Sequence, residues 1–280
     1  MAPSVFRATL AALMSASLKF AANLSWLYTD LPFLDRFAAA AADGFQGVEC
    51  LFPHEHPRAE VAARLRDLGL QLVLFNAEPG RWAAGERGLA SLAGREAEFR
   101  DTITRALDLA QALNCPRVHV MAGLCQDSDR TAAWARYESN LGWAVDQARQ
   151  ADRILMIEPI NGRDMPGYLL QRQAEAHTLV ERIGSPHLQV QMDLYHCQIV
   201  EGDLTTKLRH WLPSGQVGHL QIAAVPDRGE PDQGELSYSH VFAELRALHW
   251  AGWIGCEYRP RQAGAGGTSA GLGWLREARC

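Results

Sequence analysis

Four apolar segments of strand length each end on a polar side chain, and this recurrence constrains the fold more than any other feature of the chain. The terminal residues are Glu158, Asp193, Gln221 and Glu257. Their spacing is close to the ~31 residues per strand–helix unit expected when ~250 residues form eight units. Side chains at the carboxyl ends of parallel barrel strands meet at one mouth. The sequence therefore predicts an α/β fold, a (β/α)8 barrel with these four residues at its mouth.

The rest of the chain fits this fold, because apolar runs of strand length alternate with longer amphipathic segments. Gly44, Gly69 and Gly184 precede the second, third and sixth strands, where each is expected to end a helix. The predicted strands lie at 18–24, 47–52, 70–76, 117–122, 153–158, 187–193, 216–222 and 253–258. The clearest helical periodicity lies at 34–42, 58–68, 96–113, 131–150, 173–183 and 238–248.

The domain organisation follows from length and composition. With 280 residues, 48% of them hydrophobic, the chain can form one large core, and no Pro-, Gly- or Ser-rich linker divides it. We therefore expect residues 18–280 to form a single catalytic barrel domain. Residues 1–17 are predicted to be an N-terminal extension, with Met14 as an alternative start; a weak signal peptide is the less favoured interpretation.

Charge and cysteine usage restrict the partners and the compartment. The net charge of -5 argues against a nucleic-acid-binding surface, because neutralising phosphates requires clustered Lys and Arg. No apolar run reaches the ~18 residues of a membrane span. The six cysteines show no CxxC or CxxH spacing, which predicts reduced thiols in a cytoplasmic protein. We expect a small-molecule substrate, with neither nucleic acid nor membrane as a partner.

The polar residues at the strand ends suit proton transfer and metal binding. Paired carboxylates on opposite sides of a pocket, such as Glu158 and Glu257, can act as base and acid. The alternative for each is a structural ion pair with a neighbouring Arg. Asp193 and Gln221 would lie between the two glutamates. This mainly oxygen set suits Mg²⁺ or Mn²⁺ better than zinc.

Further candidates surround the same mouth. His196 lies on the loop beyond the sixth strand, as a substrate contact or as an exposed loop residue. His219 is as consistent with a hydrogen-bonded core histidine as with a functional one. Arg228 could grip a substrate carboxylate in bidentate fashion, or it could be a surface residue. His119 and Asn76 end the fourth and third strands and are predicted to face the substrate.

Two long connections, 78–94 and 223–237, follow strand ends and are typical of lids or substrate clamps. The glycine-rich stretch 264–273 lacks the spacing of a phosphate-binding loop, which favours a flexible eighth loop over an anion site. Three further residues would shape the pocket, although packing is the commoner role for each: Trp26, Glu49 and Trp82.

At these residues the chain resembles the hydroxypyruvate isomerase family, one of the xylose-isomerase-like barrels, a group that includes ketose 3-epimerases and endonuclease-IV-type enzymes. The resemblance covers about residues 19–274. Its motifs are Phe20-Ala-Ala-Asn-Leu-Ser-Trp26, Arg117-Val-His-Val-Met-Ala-Gly123, Glu158-Pro-Ile-Asn161, Gln191-Met-Asp-Leu-Tyr-His196, Gly218-His-Leu-Gln-Ile-Ala223, Pro226-Asp-Arg-Gly-Glu-Pro231 with Gly234-Glu235, and Gly255-Cys-Glu-Tyr-Arg-Pro260.

The resemblance implies a (β/α)8 barrel with Glu158 and Glu257 as the catalytic pair. It also implies a divalent metal, Mg²⁺ or Mn²⁺, held by Glu158, Asp193, Gln221 and Glu257. Ketose epimerases typically have His at the third ligand position, whereas Gln221 is what hydroxypyruvate isomerases have there. An amide oxygen is a weaker ligand than imidazole for transition metals. The resemblance thus favours the isomerase branch and weaker metal binding.

The implied reaction interconverts hydroxypyruvate and tartronate semialdehyde, or acts on a related 2-oxo-tetronate, through an enediolate. Arg228 and His196 would hold the substrate's carboxylate or hydroxyl groups. One alternative is a ketose 3-epimerase acting on free sugars, and another is a non-catalytic barrel that binds sugar acids. Retention of both strand-end glutamates and of Asp193 argues against the non-catalytic barrel. Related barrels often form dimers or tetramers, so the resemblance also implies a homo-oligomer.

Overall fold

Eight parallel strands close into a barrel in the computed structural model, which describes residues 17–279. Each strand pairs with the next along the chain, and the last pairs with the first. All eight predicted strands are present, and each begins and ends within three residues of its predicted bounds. They are β1 (Lys19–Asn23), β2 (Gly47–Cys50), β3 (Gln71–Asn76), β4 (Arg117–His119), β5 (Ile154–Ile157), β6 (Leu188–Asp193), β7 (Val217–Ile222) and β8 (Trp253–Cys256).

Helices surround the barrel, and the six predicted from periodicity lie within one residue of their predicted bounds. Four shorter helices were not predicted, because a segment of four to eight residues is too short for its periodicity to be recognised. One of them lies inside the stretch 264–273, so the predicted flexible loop is partly helical. The helices are α1 (Phe33–Ala42), α2 (Arg58–Asp67), α3 (Glu96–Ala112), α4 (Arg130–Gln150), α5 (Gln173–Ile183), α6 (Leu194–Val200), α7 (Leu204–Trp211), α8 (Tyr238–Ala247), α9 (Gly267–Ala270) and α10 (Gly273–Arg279).

The predicted N-terminal extension, residues 1–17 with Met14, lies outside the described residues except for residue 17, as does residue 280 of the predicted domain. Between residues 17 and 279, no helix is long and apolar enough to cross a membrane. Five cysteines within that range are free thiols: Cys50, Cys115, Cys125, Cys197 and Cys256.

Strand alternation separates the outer core from the barrel interior. On β1, Phe20 and Ala22 pack into the large core between barrel and helices, where the Phe20 ring makes edge contacts at 5.4 Å with both Phe242 and Trp274. Burying such a ring stabilises the fold by about 1.5–3 kcal/mol. The intervening Ala21 joins the small interior cluster instead.

Parallel pairing of the strands brings the polar side chains at their ends to the carboxyl-terminal mouth of the barrel. Four buried polar residues are the last residues of their strands, and two glutamates follow β5 and β8 by one residue. They are Asn23, Asn76, His119 and Asp193, with Glu158 and Glu257.

Candidate active site

A cavity of about 430 Å³ opens at this mouth. Its buried lining is mostly polar, with Met121 and Ile160 as buried apolar residues, and its more exposed lining includes aromatic, cationic and acidic side chains. The buried polar residues are Asn76, His119, Glu158, Gln191, His196, Arg228 and Glu257, and the more exposed ones include Trp26, Trp82, Arg87 and Arg259. The structure thus brings the predicted catalytic and substrate-binding residues to one cavity.

Asp193 ends β6 and also caps the helix that follows it. Its Oδ1 accepts a hydrogen bond from the backbone N–H of Tyr195 at 2.8 Å, a contact that fixes the carboxylate in one orientation. Oδ2 accepts no hydrogen bond from residues 17–279 but lies 3.5 Å from Nη2 of Arg228 and 3.6 Å from Nε2 of His196. Burial raises the pKa of Asp193 to about 6, against the opposing effects of Arg228 and nearby backbone N–H groups.

Glu158 directly follows the apolar strand β5 and is 5% exposed. Its carboxylate oxygens lie 3.6 Å from Nε2 of His119 and 3.9 Å from Nε2 of His196. Burial raises the pKa of Glu158 well above its usual range, and the charges of Glu257 and Asp193 raise it further. A raised pKa favours the protonated carboxyl group in the absence of a bound cation.

Glu257, beyond β8, accepts hydrogen bonds on both carboxylate oxygens. Oε2 accepts from Nδ2 of Asn23 at 2.9 Å and from Nε2 of Gln221 at 2.8 Å, and Oε1 accepts from Nη2 of Arg228. Burial raises the pKa of Glu257 to about 8, although the charge of Arg228 lowers it. The two glutamates therefore differ in their partners: Glu158 faces imidazoles, and Glu257 faces amides and a guanidinium.

Potential metal-ligand atoms of Glu158, Asp193 and His196 lie within 4.8 Å of one another. Glu158 and Asp193 are two of the four predicted ligands, and the other two are Glu257 and Gln221. Glu257 is hydrogen-bonded as described above, and Gln221 directs Nε2 rather than its oxygen at Glu257. Oε1 of Gln221 accepts from Nε2 of Gln191 at 2.7 Å. The structure thus places the four predicted ligands around one mouth, and metal binding by them stays a prediction.

His196 is positioned by Asn161, which sequence reasoning did not single out, although it closes the motif that starts at Glu158. Nδ1 of His196 lies 2.6 Å from Nδ2 of Asn161. Because an amide nitrogen only donates, Nδ1 accepts and the ring proton belongs on Nε2. Burial lowers the pKa of His196 well below its usual value, so the ring is neutral. His196 therefore presents an N–H donor beside Glu158 and Asp193.

His119 and Asn76 form a second buried pair on the cavity wall. Nδ1 of His119 lies 3.3 Å from Oδ1 of Asn76, which implies that the ring donates from Nδ1. Burial lowers the pKa of His119 to about 3. The neutral ring thus turns Nε2 toward Glu158.

Arg228 is a buried residue of the loop after β7, only 8% exposed, and not a surface arginine. Besides Glu257 and Asp193, its guanidinium contacts Asp164, with Nη1 3.4 Å from Oδ2. The cation lies 4.5 Å from the ring centroid of Trp26, a cation–π distance. Its charge is thus shared among three carboxylates.

Two further cavity residues, Arg87 and Arg259, were not predicted as site residues. Neither has an acidic partner among residues 17–279. The Arg87 guanidinium lies 3.8 Å from the ring centroid of Trp82, and that of Arg259 lies 5.3 Å from Trp26. The only sequence signal was the place of Arg259 in the last motif. Arg87 and Arg259 therefore form a cationic rim above the buried glutamates, and the one acidic residue in the more exposed lining, Asp164, contacts Arg228.

Comparison with known proteins identifies the family to which this chain belongs. Residues 37–278 match the family described as Xylose isomerase-like TIM barrel. The chain is 56% identical to the 2-oxo-tetronate isomerase of Cupriavidus necator over 259 residues, 92% of this chain and 97% of that protein. It is 39% identical to the hydroxypyruvate isomerase of Escherichia coli, with 92% and 98% covered.

Solved structures agree on the fold. A structure from Brucella melitensis described as an AP endonuclease, family 2, superposes with a TM-score of 0.89 at 45% identity, covering 94% of this chain and all of that one. A D-psicose 3-epimerase from Clostridium cellulolyticum has a TM-score of 0.75 at 14% identity, with 94% of this chain and all of that one covered, and supports the fold alone. The chain belongs to the xylose isomerase-like TIM barrel family and, within it, to the hydroxypyruvate isomerase family of enzymes.

Proposed function

We propose that this isomerase interconverts hydroxypyruvate and tartronate semialdehyde, or acts on the closely related 2-oxo-tetronate. The observation that carries the proposal is the pair of buried glutamates, Glu158 and Glu257, in one cavity beside Asp193. Burial raises the pKa of both glutamates, which brings them toward the range in which a carboxyl group exchanges protons near neutral pH. The names of the relatives support the same class of substrate.

The reaction moves one proton between adjacent carbons and one between their oxygens. One glutamate removes the proton from the hydroxyl-bearing carbon and returns it to the neighbouring carbonyl carbon. The other relays the hydroxyl proton to the oxygen that becomes the new hydroxyl group. Nε2–H of His196 donates to a substrate oxygen, because this donor faces the space beside Glu158 and Asp193.

The residues present fit a divalent cation. Oδ2 of Asp193 is a buried oxygen without a hydrogen bond from residues 17–279, and Glu158 is close to it. These two carboxylates would hold Mg²⁺ or Mn²⁺, and Gln221 and Glu257 would complete the set once Gln191 and Arg228 release their oxygens. When bound, the cation polarises the carbonyl group and stabilises negative charge on the substrate's oxygens.

The rim supports an acid rather than a neutral sugar as the substrate. Arg87 and Arg259 present positive charge at the cavity entrance, where they would attract a carboxylate and orient it away from the buried glutamates. This observation favours the isomerase over the ketose 3-epimerase. The name of the Brucella structure raises DNA cleavage as another activity, and the net charge of -5 argues against it.

Turnover by matched variants tests the proposal. We expect Glu158→Gln and Glu257→Gln to lower kcat by more than about a thousandfold with hydroxypyruvate and 2-oxo-tetronate, because each removes a proton-transfer group. Glu60→Gln, on the exposed face of α2, is the control and should retain wild-type activity. Unchanged turnover in either active-site variant would contradict the proposal.

A further inference from the structure

We propose that Glu49 is a positioning residue that fixes Glu257 through two side-chain amides. Glu49 lies on β2, is 1% exposed and is not part of the cavity lining, so it does not reach the substrate. The inference rests on the proposed function, because it assigns a purpose to Glu49 through the proton-transfer role of Glu257.

Two side-chain amides connect the carboxylate of Glu49 to that of Glu257. Oε1 of Glu49 accepts from Nδ2 of Asn23 at 3.0 Å and from Nε2 of Gln221 at 2.8 Å. The same two nitrogens donate to Oε2 of Glu257, at 2.9 and 2.8 Å. A side-chain amide nitrogen carries two hydrogens, so each amide donates one to each carboxylate. The side-chain amides of Asn23 and Gln221 are thereby fixed by hydrogen bonds to both Glu49 and Glu257.

The other oxygen of Glu49 is held from across the barrel. Nε2 of His219 on β7 lies 2.6 Å from Oε2 of Glu49, and His219 is completely buried. Three donors therefore converge on one buried carboxylate, which is the arrangement that such a group needs in a low-dielectric interior. The sequence was consistent with either a core or a functional role for His219. In the structure His219 contacts the Glu49 carboxylate, which in turn accepts hydrogen bonds from the amides of Asn23 and Gln221.

A glycine on β8 makes room for Glu49. A Cβ atom at Gly255 would lie 2.4 Å from both carboxylate oxygens of Glu49, closer than van der Waals contact allows. Gly255 lies on β8 and precedes Glu257 by two residues. The strand that leads into Glu257 thus leaves room for the carboxylate of Glu49.

The network fixes the orientation of the Glu257 carboxylate group. With two amide donors on Oε2, Oε1 is the oxygen directed at Arg228. The network also fixes the amide of Gln221, whose nitrogen faces the carboxylates and whose oxygen faces Gln191. Without the acceptor at Glu49, both amides can rotate and Glu257 loses its defined orientation. Loss of such supporting contacts typically costs 10- to 100-fold in activity or metal affinity.

The test is Glu49→Leu, a variant that removes both acceptor oxygens and keeps a buried side chain of similar size, with kcat and KM measured separately on hydroxypyruvate and 2-oxo-tetronate. We expect kcat to fall about 10- to 100-fold and KM to change less than about twofold, because the rim residues are untouched. Glu201→Leu is the matched control: Glu201 is also largely buried and hydrogen-bonded, to the backbone N–H of Gln173 at 2.7 Å, but it has no link to Glu257. An unchanged kcat in folded Glu49→Leu would overturn the proposal.

A second measurement needs no variant to fold and no substrate. In ¹⁵N NMR spectra of the wild-type protein, the side-chain NH₂ groups of Asn23 and Gln221 should be protected from solvent exchange. Free exchange of both groups would overturn the inference about Glu49, whatever the substrate. Failure of the wild type to convert any short acid would instead contradict the proposed function, so the two failures are distinguishable.

Discussion

Arg228 donates a hydrogen bond to Oε1 of Glu257, which joins the loop after β7 to the end of β8. Nη2 of the same guanidinium lies 3.5 Å from Oδ2 of Asp193. A cation on a side chain therefore compensates two of the carboxylates that are predicted to hold a metal ion. Because both cations would use the same oxygens, binding of a divalent ion should displace Arg228 from Glu257.

Replacing Arg228 with Gln should destabilise the metal-free protein. The change removes the countercharge of the buried Asp193 carboxylate, whose pKa of about 6 leaves it ionised at neutral pH, and breaking a buried ion pair typically costs about 3–5 kcal/mol. Urea unfolding measures the free energy of unfolding, and Mn²⁺ should restore part of it. Arg209→Gln removes an exposed ion pair with Glu244 and should change little. Equal stability of Arg228→Gln and wild type would show that Arg228 does not compensate the site.

Removal of one carboxylate should weaken metal binding. We expect one Mn²⁺ per chain by electron paramagnetic resonance, and Asp193→Asn should lower its affinity at least about tenfold, because Oδ2 is the unpaired buried oxygen. Asp127→Asn, an exposed acid outside the cavity, serves as the control. Wild-type affinity in Asp193→Asn would exclude Asp193 as a ligand.

Substitution at the cationic rim should affect acids selectively. We expect Arg87→Gln and Arg259→Gln each to raise KM for 2-oxo-tetronate about three- to tenfold, because each removes a cation that attracts the carboxylate. KM for a neutral four-carbon hydroxyketone should not change. Arg100→Gln is the matched control, since this exposed guanidinium lies 5.2 Å from the ring of Trp143, outside the cavity. Equal effects on acid and ketone would contradict a carboxylate subsite.

The metal-free protein should lose stability as pH rises from about 6.5 to 8. Burial raises the pKa of Glu257 to about 8, from an ordinary value of about 4.5, so in this window the folded state keeps a proton that the unfolded chain has released. The resulting stabilisation is complete below pH 4.5 and is lost as pH rises through 8, at about 1.4 kcal/mol per pH unit.

The two buried histidines contribute little to the change of stability with pH between 6.5 and 8. Burial lowers the pKa of His119 and of His196, which affects stability only below their ordinary value of about 6.5. Urea unfolding at several pH values between 6.5 and 8 measures the slope, and Glu257→Gln should reduce it. Constant or rising stability across that range would rule out a raised pKa at Glu257.

The fold and the location of the site were predictable because both depend on local patterns. The apolar strand ends at Glu158, Asp193 and Glu257 indicated a barrel mouth, and parallel strands bring such ends together. The atomic partners were not predictable. Glu49 and His219 are 170 residues apart, and no local signal pairs them. The burial of Arg228 likewise depends on how a loop folds back over the mouth, which periodicity does not determine.

Proton–deuterium exchange, followed by NMR in heavy water on metal-reconstituted protein, tests the central claim most directly. Hydroxypyruvate, 2-oxo-tetronate and D-fructose would be offered in parallel to wild type, Glu158→Gln and Glu257→Gln. We predict that the wild type exchanges and converts the short acids alone, and that both variants do neither, because proton transfer between two glutamates is the proposed chemistry. Exchange at C3 of the ketose, or no exchange with any of the three compounds, would contradict the account.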